Sequence, residues 1–141
     1  MLKNILISCC ALLIFSLAIG KDKEIKKVDF KKDIWPIVKR SCIKCHREPY
    51  KKNGKLKKPK GELVLTTKKG FLKGSEEGKI IIPGKPLKSS FYKLTILPED
   101  DDDIMPAKGD PLSKEETALF KKWILEGAKF NKWVKEEKKS K

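Results

Sequence analysis

The chain has 141 residues, with 34 Lys and Arg against 19 Asp and Glu, a formal net charge of +15. This length holds one domain and no more. A charge this high raises nucleic-acid binding as a class, but the composition argues against it. Arg40 and Arg47 are the sole arginines, and the remaining basic residues are lysines spread along the whole chain. Base readout leans heavily on arginine. Most of the lysines therefore read as a solvated surface, with at most weak contact to an anionic membrane or an acidic partner.

Residues 1–20 open with Lys3 and run from Ile5 to Ile19 almost without a polar residue, with Ala18 and Gly20 before a charged stretch. A short basic start, an apolar centre and small residues at the end are the marks of a secretory signal peptide. The apolar run is shorter than the roughly 20 residues that span a bilayer, so an uncleaved anchor is the lesser reading. A lipoprotein reading at Cys9 lacks a hydrophobic stretch before that cysteine. The expected location is periplasmic or otherwise exported. Residues 21–27 read as a lysine-rich tether.

From Val28 the pattern changes. Val28, Ile34, Ile37, Val38 and Cys42 recur at mostly helical intervals. Asp29 or Asp33 is a candidate cap. Pro36 suits a first turn that starts at Asp33 and would kink a helix that starts at Asp29. Trp35 reads as a packing residue. The helix leads into Cys42-Ile43-Lys44-Cys45-His46 and is expected to carry both thiols and the imidazole on one rigid element.

Cys-x-x-Cys-His at this spacing reads as covalent attachment of a c-type haem. Haem presents two vinyl groups, each able to take a cysteine sulfur as a thioether, and the adjacent imidazole then binds iron as the proximal ligand. The rivals are a dithiol redox site and half of a zinc site. His46 is the only histidine, and the other two cysteines, Cys9 and Cys10, lie in the leader. A structural zinc site draws four ligands mostly from Cys and His, so zinc would have to recruit a carboxylate. A thioredoxin-type dithiol expects a strand before its motif, and none is legible here.

Arg47 to Lys60 has six lysines, Pro49, Asn53-Gly54 and Pro59, and reads as an exposed loop. Gly61 to Thr67 has strand-like character. Phe71-Leu72, between Gly70 and Gly74, suggests one helical turn. Ile80-Ile81-Ile82 is an apolar run ended by Pro83-Gly84, and Ser89 to Leu94 resembles a short capped helix. Glu99 to Asp103 is the only strong acidic run and sits directly before Ile104-Met105-Pro106. Its consecutive aspartates lack the spaced ligands and glycine turn of a calcium loop. They read as solvated, with an effect on potential or partner steering if they lie near a cofactor.

Apart from the initiator, Met105 is the only methionine. A methionine sulfur commonly sits opposite the histidine in electron-transferring haems and raises the potential. The bland alternative is a methionine filling a core gap. Ser113 to Glu116 forms a capping box. Leu119, Phe120, Trp123, Ile124 and Gly127 then share one helical face. Gly127 would allow close approach of the helix bearing the thiols, with the macrocycle trapped between the two helices. Residues 131–141 read as a charged tail in which Trp133 is peripheral.

In this order the motifs resemble the planctomycete-type cytochrome c domain, a branch of the class I cytochrome c fold. The matching pieces are Val28-Asp29-Phe30, Asp33 to Ile37, Cys42 to His46, Gly61-Glu62-Leu63, Pro83 to Pro86 with Ser90, Met105-Pro106, Leu112-Ser113 and Trp123 to Ala128. The resemblance covers residues 28–130. It implies an all-α, cytochrome c-like fold: a few helices around one covalently bound haem c, long loops and little strand. It also implies thioethers from Cys42 and Cys45, with His46 and Met105 as axial iron ligands. Two departures, Arg47 directly after the histidine and the long lysine loop, mark where packing near the haem should differ from the family.

The expectation is a monohaem electron carrier passing single electrons between redox partner proteins. It is not an enzyme, since no acid–base pair is placed near the distal side. The alternatives are a haem-based sensor or binding module in which Met105 is displaceable, and a haem-free dithiol protein using Cys42 and Cys45.

Overall fold

A computed structural model describes residues 26–131 and 133. Residues 1–20, expected to be a signal peptide, nearly all of the expected tether and most of the expected charged tail lie outside the described residues. No helix among the described residues is long and apolar enough to cross a membrane.

The first element resolves the conflict posed by Pro36. Asp29 caps it, its carboxylate accepting from Lys32 N–H at 2.9 Å, while Asp29 N–H donates to Asp33 at 2.8 Å. The opening turn, Phe30–Ile34, is a wide π-turn, in which Trp35 N–H reaches back to the Phe30 carbonyl. Only then does α1, Trp35–Ser41, begin, with Pro36 in its first turn. Proline lacks a donor and its ring clashes with the carbonyl four residues back. A widened turn is the usual relief for such a clash. Both aspartates are used, one as cap and one in the first turn.

The last long helix, α4, spans Lys114–Leu125 and opens on the expected capping box. Glu116 N–H donates to the Ser113 hydroxyl at 3.2 Å, and Ser113 N–H donates to the Glu116 carboxylate at 3.0 Å. Its buried face is Phe120, Trp123 and Ile124, packed on the Phe30–Ile34 turn. The two segments run antiparallel. Val28 N–H donates to Glu126 at one end, and Arg40 pairs with Glu116 at the other, both at 2.8 Å.

Between these ends, Phe30 is fully buried and touches five aromatic rings. It stacks on Trp133 at 5.2 Å and meets Phe130, Trp123, Phe71 and Trp35 at 4.7 to 6.4 Å. Trp133 is therefore part of the core packing, not peripheral. Aromatic and aliphatic side chains fill the contact between α4 and the Phe30–Ile34 turn. Gly127 lies beyond the helix end at φ 94°, where it stops α4. A Cβ there would approach nothing closer than the Lys129 side chain at 3.8 Å, so close helix packing does not require it.

The architecture is mostly helical with long loops. Helix α2, Lys68–Lys73, is capped by Thr67, whose hydroxyl accepts from Gly70 N–H at 3.0 Å, and it buries Phe71. Helix α3, Ser90–Lys93, follows a 3-10 turn at Pro86–Lys88. Ser89 does not cap α3 with its side chain. Its buried hydroxyl instead accepts from Ile82 N–H at 2.8 Å and donates to the Lys85 carbonyl at 2.9 Å, folding the 80–89 loop on itself.

Two strand expectations change. Gly61–Thr67 pairs with no strand. It opens on a 3-10 turn, Lys60–Glu62, and then sends its Leu65 N–H to the His46 carbonyl at 2.8 Å. The sheet lies instead in the lysine segment, where β1, Tyr50–Lys52, and β2, Lys55–Lys57, form an antiparallel hairpin. The fold is thus not purely α.

Phe30→Ala should destabilise the protein by about 3–5 kcal/mol, the usual cost of removing a fully buried aromatic ring. Ser113→Ala, which removes only a cap, should cost about 1 kcal/mol. Denaturant midpoints of the two variants against the parent measure both.

Candidate cofactor-attachment site

The motif begins where α1 stops. Cys42 and Ile43 both donate their N–H to the Val38 carbonyl, at 2.9 and 3.2 Å, and Cys45 and His46 donate theirs to the Cys42 carbonyl at 3.2 and 3.0 Å. The thiols and imidazole are therefore held on one tight turn that continues the helix, not on the helix itself. Both thiols are free. Cys45 is exposed, while Cys42 is half-buried and packs against the core.

A second segment clamps this turn. Lys60 N–H donates to the Cys45 carbonyl at 3.2 Å, and Leu65 N–H donates to the His46 carbonyl. The Lys60 carbonyl in turn lies 3.1 Å from His46 Nδ1. A carbonyl oxygen only accepts, so Nδ1 carries the proton and the lone pair is on Nε2. An outer hydrogen bond of this kind orients a metal-binding histidine and fixes its tautomer. Burial holds the His46 pKa below its ordinary value, against the opposing pull of the backbone at Lys60 and Leu63. The ring stays neutral, as a metal ligand must.

The Cys42 thiol is pushed up to about 12, chiefly by burial, with Arg40 pulling it down and Cys45 adding to the rise. A reactive dithiol needs the opposite, a depressed pKa and an electropositive setting. The donor set accordingly fits covalent haem, with two sulfurs for the vinyl groups and one neutral Nε2 for iron.

Met105 belongs to a separate loop. Its N–H donates to the Leu94 carbonyl at 2.9 Å, beside the 3-10 turn Leu94–Ile96, and Ile104 N–H donates to Asp101 at 3.1 Å. The side chain is half-buried and stands outside the hydrophobic core, so it is not filling a core gap. The structure thus brings Cys42, Cys45 and His46 together, whereas Met105 arrives on its own loop. In the acidic run, Asp103 N–H donates to the Asp101 side chain at 2.9 Å. No group of three or more potential His, Cys, Asp or Glu metal ligands converges among the described residues. An open cleft of about 530 Å³ beside Val28, Trp123 and Glu126, and one of about 330 Å³ beside Phe71 and Phe130, are lined by none of the four candidate residues.

The Lys60 carbonyl escaped the sequence reading. A backbone acceptor leaves no side-chain signature, and the intervening lysine segment hides the return of the chain. The clamp in turn depends on Gly70, because a Cβ there would collide with the Val64 carbonyl. Gly70→Ala should therefore push the 60–65 segment outward. The expected cost is about 1–3 kcal/mol, as for other overpacked sites. In haem-loaded protein the reduction potential should shift as the His46–Lys60 bond lengthens. Chemical denaturation and a redox titration measure the two effects.

Residues 42–109 match the family model of planctomycete cytochrome C. No curated protein and no solved structure matches the chain. The match opens on the first thiol of the attachment turn and runs past Met105, while the Phe30 turn and α4 flank it outside. With both thiols, the oriented imidazole and the lone loop methionine inside the matched span, the match supports a planctomycete-type cytochrome c domain in this chain.

Proposed function

We propose that the protein is an exported monohaem c-type cytochrome that carries single electrons between redox partners. The observation that supports this most directly is the His46 ring, neutral and tied at Nδ1 to the Lys60 carbonyl. That bond leaves Nε2 as the proximal ligand, one residue from the second thiol. Cys42 and Cys45 would hold the haem through thioethers, and Met105 would supply the sixth ligand. When bound, haem supplies the one-electron couple.

The residues of the chain do the rest. The Lys60 clamp keeps the imidazole in one tautomer and one orientation. A Met105 sulfur would raise the potential relative to a harder ligand. The half-buried Cys42 places its end of the attachment turn against the apolar core, away from water. The aspartates before Met105 would lower the potential in proportion to their approach to the iron. The lone histidine is used as a ligand, so no general acid–base pair is available and the role is that of a carrier, not an enzyme.

The apolar leader at residues 1–20 supports export, where haem attachment to such motifs takes place in bacteria. The partners are redox proteins, with a weak anionic-membrane contact through surface lysines. Nucleic acid is not among them, given two arginines in the chain. A dithiol role is opposed by the raised Cys42 pKa.

Protein exported by a haem-maturation-competent host should show one haem added to its mass after denaturation, and a low-spin spectrum. Met105→Ala should abolish the low-spin spectrum and lower the potential. Cys42→Ala with Cys45→Ala should leave no covalent haem. A spectrum indifferent to Met105→Ala would turn the reading to a small-ligand sensor, and an apoprotein mass would overturn the haem assignment.

A further inference from the structure

The hairpin of β1 and β2 is self-repulsive. Its turn, Asn53-Gly54, has φ of 50° and 72°. Two successive positive φ values make the tight primed turn that suits a two-residue hairpin. The register then sets Lys52 opposite Lys55, Lys51 opposite Leu56 and Tyr50 opposite Lys57. Like charges directly opposite each other destabilise a ladder, and an isolated two-stranded hairpin is marginal in water at best. Residues 51–58 are all exposed, Leu56 by 57 %. No acidic residue occurs between Glu48 and Glu62, a span with six lysines. None of those lysines joins an ion pair among the described residues.

The base of this finger is nonetheless well held. The Arg47 guanidinium lies 3.7 Å over the Tyr50 ring. At the other end, Lys60 is bonded to Cys45 and His46. The finger therefore projects from the two residues that carry the exposed thiol and the proximal imidazole. A charged element with little support of its own, on an anchored base, is a local conflict that opposite charges on a partner would relieve.

We propose that the β1–β2 hairpin is a docking finger for an acidic protein surface. Carboxylates on a partner would offset the lysine repulsion, and a small apolar contact would cover Leu56. A second copy is a poor occupant, because the chain carries a net charge of +15 and lysines on both strand edges resist pairing with another hairpin. A lipid surface is also a poor occupant. The tip is Asn53-Gly54 flanked by Lys52 and Lys55, and Leu56 is the one aliphatic side chain of the two strands, too little apolar surface to anchor in a bilayer. The bearing of the finger on electron transfer rests on the carrier reading above, whereas the docking does not.

The test uses the haem-loaded protein as exported and two probes: poly-L-glutamate, and vesicles of phosphatidylglycerol in phosphatidylcholine. Lys52→Glu with Lys55→Glu is compared with Lys88→Glu and Lys93→Glu, an equal charge change at exposed sites elsewhere. The hairpin reversal should weaken poly-glutamate binding about tenfold beyond the control, as expected for losing two or more surface charge contacts. Lys52→Gln with Lys55→Gln should weaken it less and leave the melting midpoint equal to or above that of the parent, which shows that folding is intact. Equal losses in both reversals, no binding of poly-glutamate by the parent, or hairpin-dependent binding to vesicles or to a second copy would each overturn the proposal. None of these results alters the mass or spectrum that decides the carrier reading.

Discussion

Everything in this small protein leans on one packing event, the burial of Phe30 against α4 and the rings around it. Each well-placed aromatic pair contributes about 0.5–1.5 kcal/mol beyond the area it removes from water, and Phe30 makes five such contacts. The cluster joins the beginning of the described chain to its end through Phe130 and Trp133. It also determines where α1 can lie. Pro36 requires a widened turn before it, the turn places Phe30 inward, and α1 then runs its short course to Cys42. The attachment turn is thus the outer end of an element whose inner end is the core.

The site is built from two levels of interaction with different reach. The thiols and imidazole are neighbours in sequence, so any chain with this motif and a helix before it brings them together. What orients the imidazole is a carbonyl fourteen residues away. That carbonyl returns to the site because Lys60 and Leu65 donate backbone bonds to the turn, and because Gly70 lets the clamp lie close against α2. The clamp bonds backbone to backbone, so almost any side chains could serve there. Gly70 alone leaves a trace in the composition.

Electrostatics divides the molecule. The lysines spread along the chain read as a solvated coat, and outside the hairpin that reading stands, with few ion pairs among the described residues. In the hairpin the same residue type acquires geometry. Strand pairing sets lysine opposite lysine at a fixed register, which a flexible loop would avoid. The acidic run lies on the Met105 loop, a different element from the basic finger. Surface charge of this kind steers association more than it adds affinity.

By itself the sequence named the candidate site residues and the cap that opens α4. Cys42, Cys45 and His46 declare themselves through spacing, Met105 through being the sole internal methionine, and Ser113 with Glu116 through a cap that needs only four residues. Local bonding accounts for each of these, so local pattern is enough. Asn53-Gly54 was also a legible hairpin signal, obscured because its flanks are lysines instead of alternating apolar residues. Only the tertiary structure decided the rest. Gly61–Thr67 had the composition of a strand but no neighbour to pair with, so its donor went to His46. Gly127 looked like a packing residue and proved to be a helix stop. Trp133 looked peripheral and is stacked on Phe30, because a ring distant in sequence had left a face open to it. These outcomes depend on which distant groups arrive to take a hydrogen bond or cover an apolar face, and no local pattern encodes that arrival.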